Sequence, residues 1–352
     1  MLSAAEIERL LSLEDPRELE DLYARAYAVK RRVCGTGVAV RGLVEAGNVC
    51  AKDCLYCGIR RSNDRVTRYR LTRDEIVAAA EEAKAMGYAS LVIQSGEIES
   101  EAQTVFIEEA LRAIAHLEMG VTLSLGEQTE DVYARWRAAG ATRYLLRIET
   151  SNPELYARIH PPECSWTRRV DCLRALRRTG YQVGTGVMCA LPGQTVRDLA
   201  DDIRFFGDLD VDMIGMGPYI PHPDTPLARQ VGGGLTNEAR LTMGLKMIAA
   251  TRLHLEDVNI AAATALQALA PDGRERGIRA GANVLMPNVT DTRYRRGYQL
   301  YANKPNLDEN AVRARTELDA SLAAIGEHLL YDTYGDSRHF AARRQLPVPP
   351  LS

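Results

Sequence analysis

Eight short runs rich in β-branched residues alternate with longer amphipathic segments through most of this 352-residue chain. The strand-like runs cover residues 38–44, 90–94, 121–125, 143–148, 182–188, 213–216, 259–263 and 283–286. Strands that alternate with helices form parallel sheets, because each helix returns the chain to the start of the next strand. Eight such units predict a closed (β/α)8 barrel, the TIM barrel, in which active sites lie at the carboxyl ends of the strands.

Helices are predicted on both sides of this α/β barrel. Two N-terminal helices are expected at about 4–13 and 16–33. An Ala/Leu/Glu-rich segment at about 307–330 predicts a C-terminal closing helix. We therefore expect three parts, which are N-terminal helices in 1–37, the barrel in 38–303, and a C-terminal helix and tail in 304–352.

Three cysteines directly follow the first predicted strand, at the spacing Cys50-x3-Cys54-x2-Cys57. Three thiolates on one tight loop suit three irons of a [4Fe–4S] cube and leave the fourth iron open to a small molecule. A structural zinc site needs four closed ligands, and a ferredoxin needs a fourth nearby thiolate, which this stretch lacks. Seven cysteines, an odd number, also argue against a disulfide framework. The spacing therefore favours an open iron–sulfur cluster.

The composition excludes several classes of protein. With 46% hydrophobic and 26% charged residues the chain has the balance of a globular domain, and its net charge of -3 argues against a nucleic-acid surface. The N-terminus lacks the pattern of a signal peptide, and no apolar stretch reaches membrane-spanning length. We expect a cytoplasmic enzyme with no nucleic-acid or membrane partner, in a reducing compartment that suits an oxygen-sensitive cluster.

Charged residues on the fourth predicted strand indicate a polar ligand. Alternation along a strand places residues 143, 145, 147 and 149 on one face, which groups Arg143, Arg147 and Glu149. The interior of a barrel is normally packed with apolar side chains. This charged face therefore predicts either a bound polar ligand or an ion-paired interior layer.

Polar and aromatic residues also follow other predicted strands. They are Gln94, Ser95 and Gly96 after the second strand, Thr264 after the seventh, Met286 at the end of the eighth, and Tyr298 and Tyr301 beyond it. The tyrosines beside a strand end either wall a pocket or pack in the core.

In this order, the motifs resemble those of the HydE family of [FeFe]-hydrogenase maturases. These are radical S-adenosylmethionine (SAM) enzymes related to biotin synthase and methylornithine synthase. The matching stretches are 48–61, 94–97, 122–127, 143–147, 191–195, 217–226, 281–288 and 298–301. The cysteine motif alone is typical of the whole superfamily, whereas the ensemble indicates the HydE family.

The resemblance implies one [4Fe–4S] cluster, held by the three cysteines, and SAM bound to the open iron through its amine and carboxylate. Reduction by the cluster would cleave SAM to a 5′-deoxyadenosyl radical. The residues implied to bind SAM are Tyr56, Gln94, Ser95, Gly96, Glu149, Arg169, Tyr298 and Leu300. Arg168 is the alternative to Arg169, because the loop before them is one residue longer than usual. The residues implied to line a substrate pocket are Arg143, Arg147, Thr264, Met286 and Tyr301.

The implied substrate is a small or organometallic molecule, a cysteine-derived ligand of an iron that carries carbon monoxide and cyanide. The implied partners are a low-potential electron donor and the other hydrogenase maturases. Two positions depart from the family pattern, Ile148 where histidine is common and Ala263 where a second threonine is usual. Two alternatives stay open. One is a HydE-like paralogue acting on a small amino acid, as a methylornithine synthase does, and the other is a non-catalytic iron–sulfur carrier.

Overall fold

Strands and helices alternate along the residues that this computed structural model describes, which are 1–230, 234–308 and 310–345. The end of the predicted C-terminal tail, 346–352, lies outside them. The strands are β1 (Gly37–Val40), β2 (Gly42–Gly47), β3 (Ser90–Ser95), β4 (Gly120–Ser124), β5 (Ala141–Leu145), β6 (Gln182–Thr185), β7 (Met188–Cys189), β8 (Met213–Ile214), β9 (Gly217–Pro218), β10 (Asn259–Ile260), β11 (Val284–Leu285) and β12 (His328–Leu330).

The helices connect these strands and flank them at both ends of the chain. The α-helices are α1 (Ala4–Leu11), α2 (Pro16–Cys34), α3 (Arg73–Ala85), α4 (Glu101–Ile114), α5 (Glu130–Ala138), α6 (Pro153–Ile159), α7 (Trp166–Arg178), α8 (Val196–Asp208), α9 (Pro226–Gln230), α10 (Asn237–His254), α11 (Thr264–Leu269), α12 (Gly273–Arg279), α13 (Thr292–Arg295), α14 (Ala311–Ala324) and α15 (Arg338–Arg343). A 3-10 turn, Ala115–Leu117, follows α4. No helix in the described ranges is both long enough and apolar enough to span a membrane.

Seven strands form one curled parallel sheet in the order β10–β8–β6–β5–β4–β3–β2. The strands follow one another in space as they do in the sequence, because helices carry the chain between them. The sheet is a half-barrel, so the predicted α/β barrel is confirmed in this partial form. β11 pairs with β1 in a three-stranded sheet, and isolated bridges link the two sheets, Leu43 with Asn288 and Ala261 with Val284.

The first predicted strand is broken at Arg41 into β1 and β2. β1 pairs with β11 and β12, whereas β2 pairs with β3. The break is therefore the point where the chain passes from one sheet to the other. Arg41 is buried there and donates a hydrogen bond to the Gly335 carbonyl at 3.2 Å.

Helices cover the sheet with small and branched apolar side chains. α3 begins at a capping box formed by Thr72 and Glu75, and it buries Ile76 and Ala83 completely. A Cβ atom at Gly42 on β2 would lie only 3.1 Å from the Ala83 Cβ. The helix and the strand approach so closely here that only glycine fits without a shift.

The C-terminal segment differs from the single helix predicted at 307–330. Helix α14 is shorter, and β12 follows it and pairs in parallel with β1. Gly326 adopts a left-handed conformation, with φ of 76°, just after the helix. The buried Glu327 beside it forms an ion pair with Lys30 of α2. This contact joins distant parts of the chain, so local composition could not predict it.

A C-terminal strap, residues 332–337, lies against the amino-terminal ends of the strands. Ser90, Gln182 and Asn259, which begin β3, β6 and β10, each donate a side-chain hydrogen bond to it at 2.7–2.9 Å. We call the strap and the strand residues that contact it the floor. The floor lies at the end of the sheet opposite to the cysteine loop.

Arg143 belongs to this floor. It is completely buried, and its guanidinium pairs with Asp336 of the strap. Arg143 therefore lies at the floor, on the strand itself, whereas Arg147 and Glu149, expected to share a face with it, follow the end of β5 at Leu145.

Candidate active site

The cysteine loop begins directly after β2, at the carboxyl end of the half-barrel. Cys50, Cys54 and Cys57 are free thiols, each partly buried. Burial raises the pKa of Cys50 and raises that of Cys57 to about 12. Thiols of this kind lose their protons when they ligate a metal, because the metal charge replaces the lost solvation.

The three cysteine sulfurs do not form a site for one metal ion. Among the described residues, the only three potential ligand atoms that all lie within 4.8 Å of one another belong to Glu97, Glu99 and Glu127. The cysteine sulfurs are therefore more widely spread than the ligands of one zinc ion, each of which sits at about 2.3 Å from the same centre. A cube carries each ligand on a separate iron, and the loop fits that donor set.

The three carboxylates are neutralised by cations of the chain itself. Lys52, inside the cysteine loop, places its Nζ 3.1 Å from Glu97 Oε1 and 3.7 Å from Glu127 Oε2. Arg169 Nε donates to Glu127 Oε1 at 2.6 Å. These acids form an ion-pair network beside the cysteine loop, so they are not an open cation site.

The end of β3 packs directly against the cysteine loop. The Ala51 amide donates to the Glu97 carbonyl at 2.8 Å, and the Glu97 amide donates to Cys50 Sγ at 3.3 Å. A Cβ atom at Gly96 would lie 2.3 Å from the Val49 carbonyl oxygen, which no side chain can tolerate. Gly96 therefore acts by allowing the loop to approach the strand.

A cavity of about 220 Å³ opens between the cysteine loop and the strand ends. We call the residues that line it the mouth. The structure brings nine predicted site residues together there: Tyr56, Cys57, Gln94, Arg147, Glu149, Thr264, Met286, Leu300 and Tyr301. One end of the cavity reaches a predicted cluster ligand, and the same lining holds residues predicted for SAM and for substrate.

Besides Gly96, three predicted SAM residues lie next to the mouth but do not line it. Tyr298 is buried, and its hydroxyl accepts a hydrogen bond from Gln94 Nε2 at 3.0 Å. Arg169 is buried and donates to the Arg147 carbonyl at 2.8 Å. Ser95 lines a separate groove on the other side of the strand end. Tyr298 and Arg169 therefore hold two residues of the mouth, Gln94 and Arg147, in place.

Arg168 and Arg169 have different surroundings. Arg168 is 47% exposed and pairs with Glu99 at 2.6 Å, whereas Arg169 is 8% exposed. Arg168 Nε also lies 3.3 Å from Glu127 Oε2, so both arginines reach the acidic network, but only Arg169 is buried in it. The choice between the two, which the sequence left open, depends on how α7 is rotated against the sheet.

Glu149 reaches the mouth through a strained backbone. Its φ of 67° is left-handed, a conformation that costs a non-glycine residue about 1 kcal/mol or more. Two hydrogen bonds hold it, from the Glu149 amide to the Gly186 carbonyl and from the Met188 amide to the Glu149 carbonyl, both 3.0 Å. Arg147 Nη2 then lies 2.9 Å from Glu149 Oε2. The strain directs a carboxylate into the cavity.

A buried ion pair in the mouth was not predicted. Glu45 of β2 and Lys304 pair with each other, and both line the cavity. Asn288 Nδ2 donates to Glu45 at 3.0 Å, and Lys304 donates to the Tyr298 carbonyl at 2.9 Å. A charged Glu45 within an otherwise apolar strand was the one sequence feature that could have indicated this pair. Lys304 lies beyond every predicted strand, so its position in the sequence gave no such indication.

The two departures from the family pattern have different places. Ile148 is completely buried in the hydrophobic core and does not line the cavity. Ala263 does line it, next to Thr264. Only the change at residue 263 therefore alters the surface that a substrate would meet.

Comparison with known proteins gives the following relatives. Residues 44–206 match the family model of the Radical SAM superfamily. A Thermotoga maritima protein, the [FeFe] hydrogenase maturase subunit HydE, is 45% identical over 298 residues, which cover 85% of this chain and 83% of the relative. A 3-methylornithine synthase of Methanosarcina acetivorans is 27% identical over 286 residues, 81% of this chain and 79% of the relative.

Two solved structures have a similar fold. Methylornithine synthase (PylB) superposes with a TM-score of 0.82 at 24% identity, over 94% of this chain and 95% of that one. The FeFe-hydrogenase maturase HydG from Carboxydothermus hydrogenoformans superposes with a TM-score of 0.81 at 19% identity, over 97% of this chain and 79% of that one. At these identities the likeness concerns the fold alone.

Proposed function

This chain belongs to the HydE family of radical SAM enzymes, and we propose that it acts on a cysteine-derived sulfur and iron substrate in [FeFe]-hydrogenase maturation. The cofactors of the family are a [4Fe–4S] cluster and SAM, which together supply a 5′-deoxyadenosyl radical by reductive cleavage of SAM. The observation that carries the proposal is the single cavity that contains Cys57, Glu149, Thr264 and Met286.

In this proposal the cluster side of the mouth holds SAM. Glu149, whose backbone is fixed by two hydrogen bonds, accepts a hydrogen bond from the amine of the methionine part. Gln94 is held by Tyr298 and faces the same space, as do Tyr56 and Leu300. Ser95, Gly96 and Arg169 contribute from outside the cavity lining, by shaping the strand end and by holding the Arg147 carbonyl.

The far side of the mouth holds the substrate. Arg147 has one carboxylate partner, Glu149, and keeps part of its guanidinium exposed to the cavity. It can bind the carboxylate of an amino acid in a bidentate way. Thr264 offers a hydroxyl, whereas Met286 and Tyr301 offer apolar surface that excludes water. Arg143 is not part of this pocket, because the floor contains it.

A second candidate is a reaction on a small free amino acid, as in a methylornithine synthase. Ala263 supports it, since this residue removes a hydroxyl from the cavity where the family usually has threonine. A smaller polar surface suits a substrate with fewer hydrogen-bonding groups. The 45% identity to a HydE maturase outweighs this one substitution.

We also propose a closed barrel and two kinds of partner. Hydrogen bonds from the Arg41 amide to the Leu285 carbonyl, and from the Ala262 amide to the Val284 carbonyl, support closure of the half-barrel through β11.

A low-potential electron donor would reduce the cluster, and other hydrogenase maturases would supply the substrate or accept the product.

Anaerobic reconstitution of the cluster, followed by SAM and dithionite, tests the function. We expect 5′-deoxyadenosine to form, and to form faster with an iron complex of cysteine than with any free amino acid. Failure to form 5′-deoxyadenosine under all conditions would refute radical SAM chemistry. Faster formation with a free amino acid would favour the second candidate over the maturase.

A further inference from the structure

The guanidinium of Arg68 donates hydrogen bonds to a ring of backbone carbonyls at the base of the cysteine loop. The acceptors are the carbonyls of Asn48 at 2.6 Å, Ile59 at 2.7 Å, Arg60 at 2.6 Å, Asn63 at 3.0 Å and Arg61 at 3.4 Å. One acceptor precedes Cys50 in the chain and the others follow Cys57. A single side chain therefore joins the two ends of the loop that carries the three cysteines.

The side chain of Asn48 joins the same two ends from the opposite direction. Its Oδ1 accepts from the Tyr69 amide at 2.7 Å, and its Nδ2 donates to the Thr67 carbonyl at 2.8 Å. Asn48 is completely buried. Residues 48 and 67–69 thus form the closed base of the loop, with Arg68 inside it.

The chain between Cys57 and Asn63 is folded so that its carbonyls converge on Arg68. The Arg60 amide donates to the Cys57 carbonyl at 3.2 Å, and the Asn63 amide donates to the Arg60 carbonyl at 3.1 Å. Carbonyl oxygens that converge repel one another unless a donor stands between them. In the described part of the chain, no carboxylate lies within 4.0 Å of the Arg68 guanidinium. Its charge is met by these carbonyl dipoles.

This arrangement requires arginine and not merely a positive charge. A guanidinium presents five N–H donors in a rigid plane, whereas a lysine ammonium presents three donors from one point. Two guanidinium nitrogens divide the carbonyls, with Asn48 and Ile59 on Nη1 and Arg60 and Asn63 on Nη2. A lysine here could not reach both sets.

We propose that Arg68 is a positioning residue that fixes the spacing of Cys50, Cys54 and Cys57 before the cluster is inserted. The proposal rests on the proposed function only in taking this loop as the cluster site. A loop that is ordered in advance loses less conformational entropy when it binds the cluster. Arg68 would therefore govern how completely the cluster is loaded and how long it is retained, without touching SAM or substrate.

The test compares Arg68→Lys with the wild-type protein and with the matched control Arg65→Lys. Arg65 is in the same segment, but it is 73% exposed and pairs only with Asp224 at 2.7 Å. In the cluster-free protein, we expect amide hydrogen exchange across residues 48–68 to be about tenfold faster in Arg68→Lys, as for the loss of one charge-assisted hydrogen bond. Arg65→Lys should exchange like the wild type.

After anaerobic reconstitution, Arg68→Lys should retain about half the iron of the wild type or less, with an altered electron paramagnetic resonance spectrum of the reduced cluster. Its melting temperature should stay within a few degrees of the wild type, since the change is local. The proposal is overturned if Arg68→Lys has the same amide exchange rates and the same iron content as the wild-type protein. If Arg68→Lys does not fold, Asn48→Ala opens the same base from its other side and must show the same two effects.

Neither readout needs SAM cleavage, so the two proposals can fail separately. A wild-type protein that binds iron but forms no 5′-deoxyadenosine refutes the proposed function and leaves the role of Arg68 standing. An Arg68→Lys variant that exchanges and loads iron like the wild type refutes the role of Arg68 alone.

Discussion

Arg143 and Arg147 lie four residues apart in the sequence, but they belong to opposite ends of the half-barrel. At the floor, the completely buried Arg143 is met by Asp336, by the Ser90 hydroxyl and by the Tyr334 carbonyl. At the mouth, Arg147 is 31% exposed beside a cavity. Other residues of the chain pair with the guanidinium of Arg143, whereas part of the Arg147 side chain stays exposed, where a ligand can bind.

This contrast explains why a charged strand residue is an ambiguous signal. The sequence left two interpretations open, an ion-paired interior layer and a bound polar ligand, and the two ends of the sheet favour different ones. The floor is the ion-paired layer, and the mouth has the features of a ligand site. Four measurements test whether the mouth and the floor are separate, and the first has the strongest expected effect.

Cys54→Ser should abolish iron binding and reduce 5′-deoxyadenosine formation to background, because two thiolates do not hold a cube. Iron content and the visible absorption of the reconstituted protein provide the measurement. Cys172→Ala is the control, since Cys172 is buried on α7, outside the cysteine loop. Normal iron content in Cys54→Ser would contradict the assignment of the cluster to the cysteine loop.

Glu149→Gln should weaken SAM binding about tenfold to a hundredfold, the effect of losing a hydrogen bond to a charged group. Isothermal titration of the reconstituted protein with SAM measures it. Asp336→Asn, the equivalent change at the floor, should leave SAM affinity unchanged. Equal losses of affinity in both variants would mean that mouth and floor are not separate.

Asp336→Asn should lower the free energy of unfolding by about 1–3 kcal/mol, because Arg143 stays buried without its carboxylate. Arg143 keeps its bonds to Ser90 and Tyr334, and Asp336 is 37% exposed, so the loss is smaller than for a fully buried pair. Urea unfolding of the cluster-free protein measures it. An unchanged urea concentration at the midpoint of unfolding would show that the strap adds no stability.

The stability contributed by the strap should also depend on pH. Hydrogen bonds to Asp257 and Asp210 raise the pKa of His339, which follows the strap, to about 9. The folded state holds this proton more tightly than the unfolded state, so its contribution is complete below about pH 6.5 and is lost as the pH rises through about 9. We expect a loss of about 1 kcal/mol, since solvent screens this half-buried group.

Urea unfolding at pH 6 and at pH 9.5 provides the measurement for His339. The variant His339→Gln should show a flatter dependence over this range, because glutamine does not titrate. A wild-type protein with the same pH dependence as His339→Gln would contradict the shift. SAM affinity should not follow this titration, because His339 lies far from the mouth in the fold.

The sequence predicted the order of strands and helices and the position of the cysteine loop. Nine of the residues that it predicted for the site line one cavity. Order and placement could be predicted because period and spacing are local properties, and because parallel strands bring their carboxyl ends to the same edge of a sheet. The structure was needed for the break at Arg41 and for β12, both of which depend on strand partners far away in the chain.

The iron–sulfur motif, the α/β class of the fold and the family could be read from the chain alone, because each depends on residue types at fixed spacing. The folded structure establishes which charged groups have partners. It buried Arg143 against Asp336, turned Glu149 into the cavity through a left-handed backbone, and paired Glu45 with Lys304 across 259 residues. The sequence gives the position of each charged residue in the chain. Its partner is whichever residue the fold brings within reach, and no local sequence pattern encodes that contact.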